Sequence, residues 1–105
     1  MSVRISQFRQ KLIASPNNQL FRYSLAQSLF DEGQLDEAIV HFLKCLELRA
    51  DWMLVALYLG KAYMEKKDFP RAEKYLELTI NLGLKQDHID PVDEAKELLS
   101  SIQHS

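Results

Sequence analysis

A chain whose apolar pattern returns every thirty-four residues must fold as a row of like pieces, because each piece has to bury its apolar face against the next. Residues 22–50 hold two helical patterns broken by Gly33. Leu25, Ala26 and Leu29 recur at helical spacing before the glycine, and Ala38, Phe42, Cys45, Leu46 and Leu48 recur after it. Each half is apolar on one side, so the two fold back on each other as a helical hairpin. Thirty-four residues further on, Leu25 becomes Leu59, Ala26 becomes Gly60, Ala38 becomes Ala72, Phe42 becomes Leu76 and Leu46 becomes Ile80, with no insertion.

The second copy reads Ala56-x2-Leu59-Gly60-x2-Tyr63, then Ala72-x3-Leu76. The first reads Arg22-x2-Leu25-Ala26-x2-Leu29, then Ala38-x3-Phe42. This resembles the tetratricopeptide repeat family, whose pattern is Trp-x2-Leu-Gly-x2-Tyr, Ala-x3-Phe and a closing Pro. The tryptophan and proline sites are lost in both copies, which end on Ala50 and Leu84, while the small residues are kept. The resemblance covers about residues 19–86. It implies an all-α helical-hairpin solenoid with two full repeats, 19–52 and 53–86, flanked by terminal helices in a single domain over 1–105.

The flanks follow from local signals. Residues 3–14 form an amphipathic helix with Ile5, Phe8, Leu12 and Ile13 on one side, in the register of a repeat's second helix. Pro16 stops it by forcing the residue before it out of helical geometry. Asn18 is placed to cap the next helix, which runs to about Glu32, where Gly33 takes a left-handed conformation. A partner helix spans 35–48. Asp51 is expected to cap a helix over 52–66, with Lys67 a strained stand-in for Gly33. Asp68 caps the following helix, with Pro70 in its first turn, and Gly83 is expected to end it. A polar loop over 85–90 then leads to Asp90-Pro91 and a capping helix over 91–103.

Composition narrows the function. An apolar share of 47% with 27% charged residues and only three prolines marks a folded helical chain, not a disordered one. The net charge of −2 comes from mixed signs, so no nucleic-acid or anionic-membrane surface is expected. No apolar run suits a signal peptide or a membrane span. Cys45 is the only cysteine, which excludes an internal disulfide and fits a reducing, cytoplasmic setting. No cofactor or metal is expected.

In a tetratricopeptide array the first helices of the hairpins line a concave groove that receives partner segments. The resemblance implies Leu20, Tyr23, Gln27 and Phe30 from the first repeat, and Leu54, Leu57, Lys61 and Met64 at the equivalent places in the second. Some family members clamp a peptide's terminal carboxylate. The matching positions here are Tyr23, Gln27 and Tyr58, and the third repeat that completes a clamp is absent, so that mode is not expected.

Cys45 and His41 are one helical turn apart, which is the kernel of a thiol enzyme or redox sensor, yet no third orienting group is evident. The Cys45 site also matches a small-residue position that should be buried. His88 sits between Asp87 and Asp90 without metal-ligand spacing, and His104 lies in the tail. Trp52, between the repeats, is expected to pack over their joint. The expected function is non-catalytic protein–protein interaction, as an adaptor or chaperone-like module binding a peptide or helix. Homodimer formation through the groove or a solenoid end is the alternative, and thiol chemistry at Cys45 the weaker one.

Overall fold

The computed structural model describes residues 2–103 and is all-helical, with no strand among them. Six helices follow in order: α1 (Val3–Ala14), α2 (Gln19–Asp31), α3 (Leu35–Leu48), α4 (Met53–Glu65), α5 (Phe69–Lys85) and α6 (Ile89–Gln103). They group into two compact units, residues 1–50 with α1–α3 and residues 51–105 with α4–α6.

In the first unit α2 packs against α3, and α1 packs against α2. Ile5 and Leu12 of α1, Leu25 and Leu29 of α2, and Phe42 of α3 are buried. Ala26, Ala38 and Cys45 are wholly inaccessible, as small residues at close helix contacts should be. Asn18 caps α2 by accepting the Phe21 amide at 2.9 Å. Ser2 accepts the Ile5 amide at 3.4 Å.

In the second unit α5 lies against both α4 and α6. A methyl group placed on Gly60 of α4 would come within 2.6 Å of Leu76 Cδ2 and 2.8 Å of Leu76 Cγ. The α4–α5 contact therefore depends on the missing side chain at Gly60. Gly83 does the same for the other neighbour of α5. A side chain there would overlap Val92 of α6 and press on Met53 Sδ at 3.3 Å.

The repeat equivalence extends to the turns. Gly33 has φ +78°, and Lys67, thirty-four residues later, has φ +61°. The amide of Gln34 reaches the Leu29 carbonyl at 2.9 Å, and that of Asp68 reaches Tyr63 at the same distance. These are the six-to-one bonds of a Schellman ending. Lys67 thus adopts a conformation that side chains resist.

Three local expectations are corrected. Gly83 does not end α5, which continues to Lys85, and Asp87 at φ +58° closes it with His88 N–H bonded to the Gly83 carbonyl at 2.9 Å. Gly83 is demanded by packing, not by backbone conformation. The segment 85–90 is consequently a short turn, and α6 begins at Ile89 with Asp90 and Pro91 already inside its first turn. Asp51 does not cap α4: the N-cap position is Trp52, with no side-chain cap bond, and the Asp51 carbonyl instead accepts Gln86 Nε2 at 3.0 Å.

No buried side-chain nitrogen or oxygen among the described residues lacks a partner. The buried hydroxyls of Ser28 and Thr79 donate to the carbonyls one turn back, Ser24 and Tyr75, each at 2.8 Å.

The Gly60 contact gives a test in which two effects oppose each other. Alanine in a helix interior is favoured over glycine by about 0.8–1.0 kcal/mol. Overpacking a tight contact costs about 1–3 kcal/mol. Gly60→Ala should therefore give a net loss of stability in urea melts. A stabilised variant would mean that Leu76 swings away freely.

Candidate functional site

The first helices of the two hairpins, α2 and α4, carry the residues expected to meet a partner. On α2, Leu20 is 64% exposed, and Tyr23, Gln27 and Phe30 are half-buried. Tyr23 does not stand free. Its ring meets core Phe42 edge-on at 6.1 Å between centroids, which fixes its orientation.

On α4, Leu54 is 42% exposed, and Lys61 and Met64 are half-buried. Leu57 differs. At 5% exposure it is a core residue and cannot serve as a surface contact. Val55, Ala56, Leu59, Gly60, Ala62 and Tyr63 are buried with it, so α4 is enclosed around most of its circumference. The accessible stripe of α4 runs Leu54, Tyr58, Lys61, Glu65, at spacings of three and four. It therefore passes one residue beyond Leu57. Tyr58 belongs to it, with Lys61 Nζ 5.7 Å from the ring centroid.

Lys61 is also ion-paired to Glu94 of α6. The α6 helix thus closes down on α4 beside this stripe and neutralises its cation. Trp52, at the N-terminus of α4, is buried.

A second polar cluster sits in the first unit. Arg9 of α1 grips Glu37 of α3 through both guanidinium nitrogens. This holds the Glu37 carboxyl below its usual range and keeps Arg9 protonated. Arg22 Nη1 donates to His41 Nδ1 at 3.1 Å, and Arg22 Nη2 donates to the Pro16 carbonyl at 3.2 Å. A guanidinium cannot accept, so Nδ1 must be unprotonated and the imidazole carries its proton on Nε2. That nitrogen lies 3.7 Å from Glu37 Oε2. Burial, reinforced by the Arg22 charge, pushes the His41 pKa down.

Cys45, one turn beyond His41, is wholly inaccessible. Burial pushes its thiol up to about 11, against the smaller opposing pull of Arg22. A thiol at that value is protonated at neutral pH and is a poor nucleophile.

Beside this cluster lies a cleft of about 340 Å³ lined by Arg9, Leu12, Ile13, Pro16, Leu25 and His41. Nothing in the apolar periodicity singles it out. The available signal is charge: residues 1–30 contain Arg4, Arg9, Lys11 and Arg22 and no acidic residue before Asp31. His88 is exposed in the α5–α6 turn beside Asp87 and Ile89, and His104 lies outside the described residues. No group of three or more His, Cys, Asp or Glu among the described residues is placed to hold a metal ion. No helix among them is long and apolar enough to cross a membrane.

These features define an all-α chain of paired helices. Residues 18–103 match the family described as regulator of microtubule dynamics protein 1-3, and the chain belongs to that family. The fold is similar to the solution structure of a protein from Bordetella parapertussis, with a TM-score of 0.87 at 19% identity over 99% of this chain and 90% of that one. No curated protein sequence matches the chain.

Two outcomes follow for the first unit. Glu37 and His41 both have lowered pKa values, so the unfolded chain binds more protons than the folded one wherever either group titrates. Stability should fall as pH drops below the ordinary histidine value of 6.5, and again below the ordinary carboxyl value of 4.5. Melting temperatures between pH 8 and pH 4 check this, and His41→Gln should flatten the upper part of the profile. A thiol reagent should modify Cys45 slowly in the native protein and rapidly in denaturant. Fast native labelling at neutral pH would restore thiol chemistry to consideration.

Proposed function

We propose that the chain is a non-catalytic protein-interaction domain whose hairpins α2–α3 and α4–α5 are tetratricopeptide-like repeats. The observation that carries this reading is the equivalent accessible stripe on α2 and α4, with Leu20 and Leu54 exposed at sites thirty-four residues apart. The burial of Ala26, Gly60, Ala38 and Ala72 at equivalent positions supports the repeat assignment, as do the matched endings at Gly33 and Lys67. Exposed leucines beside half-buried aromatic residues suit the apolar face of a partner helix or an extended segment. The raised Cys45 thiol argues against thiol catalysis at that residue.

The family is named for regulating microtubule dynamics. The partners of this domain are accordingly proteins of the microtubule system, and its action is to dock one of them in a cytoplasmic setting. Leu57 takes no part in docking.

A Leu20→Glu, Leu54→Glu variant tests this, because both residues are exposed and charges there leave the core alone. The natural chain should co-sediment with microtubules assembled from purified tubulin or change their growth and shortening rates. The double variant should keep its helical circular dichroism and melting temperature and lose the effect at least tenfold. If the natural chain neither binds nor alters the polymer, the partner assignment fails. If the variant acts like the natural chain, the α2 and α4 stripes are not the docking surface.

A further inference from the structure

We infer that the cleft of the first unit receives the α5–α6 turn of a second copy of this chain. On the receiving side, Leu12, Ile13, Pro16 and Leu25 form an apolar bed. Ile13 is 79% exposed and Pro16 is exposed, so the cleft is open along one flank. An open bed of this kind suits a side chain presented by a polypeptide better than a small molecule that must be enclosed. Arg22 stands beside the cleft, bonded to two of its lining residues, His41 and Pro16. Arg22 hydrogen-bonds only a neutral imidazole and a carbonyl and has no carboxylate partner among the described residues. Arg9, by contrast, is already neutralised by Glu37. The cleft thus asks for an apolar side chain with a carboxylate beside it.

The chain carries that chemistry itself. At the α5–α6 turn Leu84 is 61% exposed and Ile89 is 70% exposed, and Asp87, Asp90 and Asp93 around them are exposed too. The turn is held in shape by His88 N–H to the Gly83 carbonyl at 2.9 Å and by Gln86 Nε2 to the Asp51 carbonyl at 3.0 Å. Little ordering is therefore needed on docking. Ile89 enters the apolar bed, and Asp87 or Asp90 meets Arg22. The charge distribution agrees: residues 1–30 carry four basic residues and no acidic one, whereas the remaining residues hold all fifteen acidic ones. Association is electrostatically steered and weakens with added salt.

The two surfaces are different, so each copy carries one cleft and one turn. The contact is also separate from the docking stripe proposed for α2. Leu25, in the cleft, lies two residues from both Tyr23 and Gln27, about 200° around the helix from each. This contact therefore stands or falls independently of the α2 and α4 surfaces.

Sedimentation velocity over a concentration series up to about 1 mM, the weak end of specific association, tests the contact. The natural chain should show a mass above the monomer that rises with concentration and falls with salt. Arg22→Glu and Ile13→Ser, each blocking the cleft, and an Ile89→Ser, Asp90→Lys variant, blocking the turn, should each remain monomeric. The residues Ile13, Ile89 and Asp90 are exposed, so two of these variants leave the core untouched even if Arg22→Glu perturbs its own helix. An equimolar mixture of a cleft variant and the turn variant retains one working interface and should form a complex that stops at the dimer. A natural chain that stays monomeric throughout overturns the inference. So does a self-associating chain that either class of variant leaves unchanged, and so does a mixture that fails to recover association.

Discussion

Two helices can approach closely only where one of them has almost no side chain, and the second unit depends on two such places along α5. At Gly60 the α4 backbone meets Leu76, and at Gly83 the α5 backbone meets Val92. Ridges-into-grooves packing places helix axes about 8–10 Å apart according to the side chains at the contact. A single added carbon at either glycine would overlap its neighbour. With those distances set, Leu59, Ala62, Ala72 and Ala95 become inaccessible, and Lys61 comes within reach of Glu94. The first unit has Ala26 where the second has Gly60, and Cys45 where the second has Thr79. It adds a clamp between Arg9 and Glu37 that ties α1 to α3.

The helices were legible because apolar spacing is a consequence of helix geometry. The limits expected for α1 and α3 agree with the structure, and Asn18 and Asp68 cap where their side chains predict. What misled was the double use of glycine. Gly33 ends a helix because only its backbone accepts φ +78° without penalty. Gly83 sits in an α-helix and is small for the sake of Val92. A sequence shows both as the same letter. The residues that take its place at helix ends, Lys67 and Asp87, advertise nothing; Lys67 was found through the repeat alone, and Asp87 falls where the repeat register is lost. Asp51 misled for a related reason: an aspartate before an apolar run is a cap only if the helix starts in time, and here α4 starts one residue too late.

The site was less legible than the fold because exposure is a tertiary property. Repeat equivalence put Leu57 beside Tyr23 in register, yet equivalent positions need not be equally covered. Most of the circumference of α4 is enclosed, so its open stripe narrows to Leu54, Tyr58, Lys61 and Glu65. The polar cluster around His41 was equally hidden. The one-turn spacing of His41 and Cys45 was visible, but the surroundings of His41 depend on Arg22, which arrives from another helix. A guanidinium held against the imidazole makes it an acceptor and opposes its protonation. Burial then holds Cys45 as a thiol.

A similarity of 0.87 in TM-score at 19% identity says how few positions this fold constrains. Apolar pattern sets the helices, a handful of small residues sets their separation, and the α2–α3, α4–α5 and α5–α6 turns each use one left-handed residue. Large apolar positions tolerate exchange when volume and pattern are kept. The surface is then nearly free of folding demands, and features that folding does not require call for another cause. Leu20, Leu54 and Ile89 are large apolar side chains exposed on regular elements where a polar residue would serve the fold as well. The same holds for the absence of any acidic residue before Asp31, since mixed charge on α1 and α2 would be cheaper electrostatically. Single exposed leucines are ordinary on any protein. Two at equivalent repeat positions, and a charge division between the first thirty residues and the rest, are patterns that folding does not require, and the two contacts proposed above would account for them.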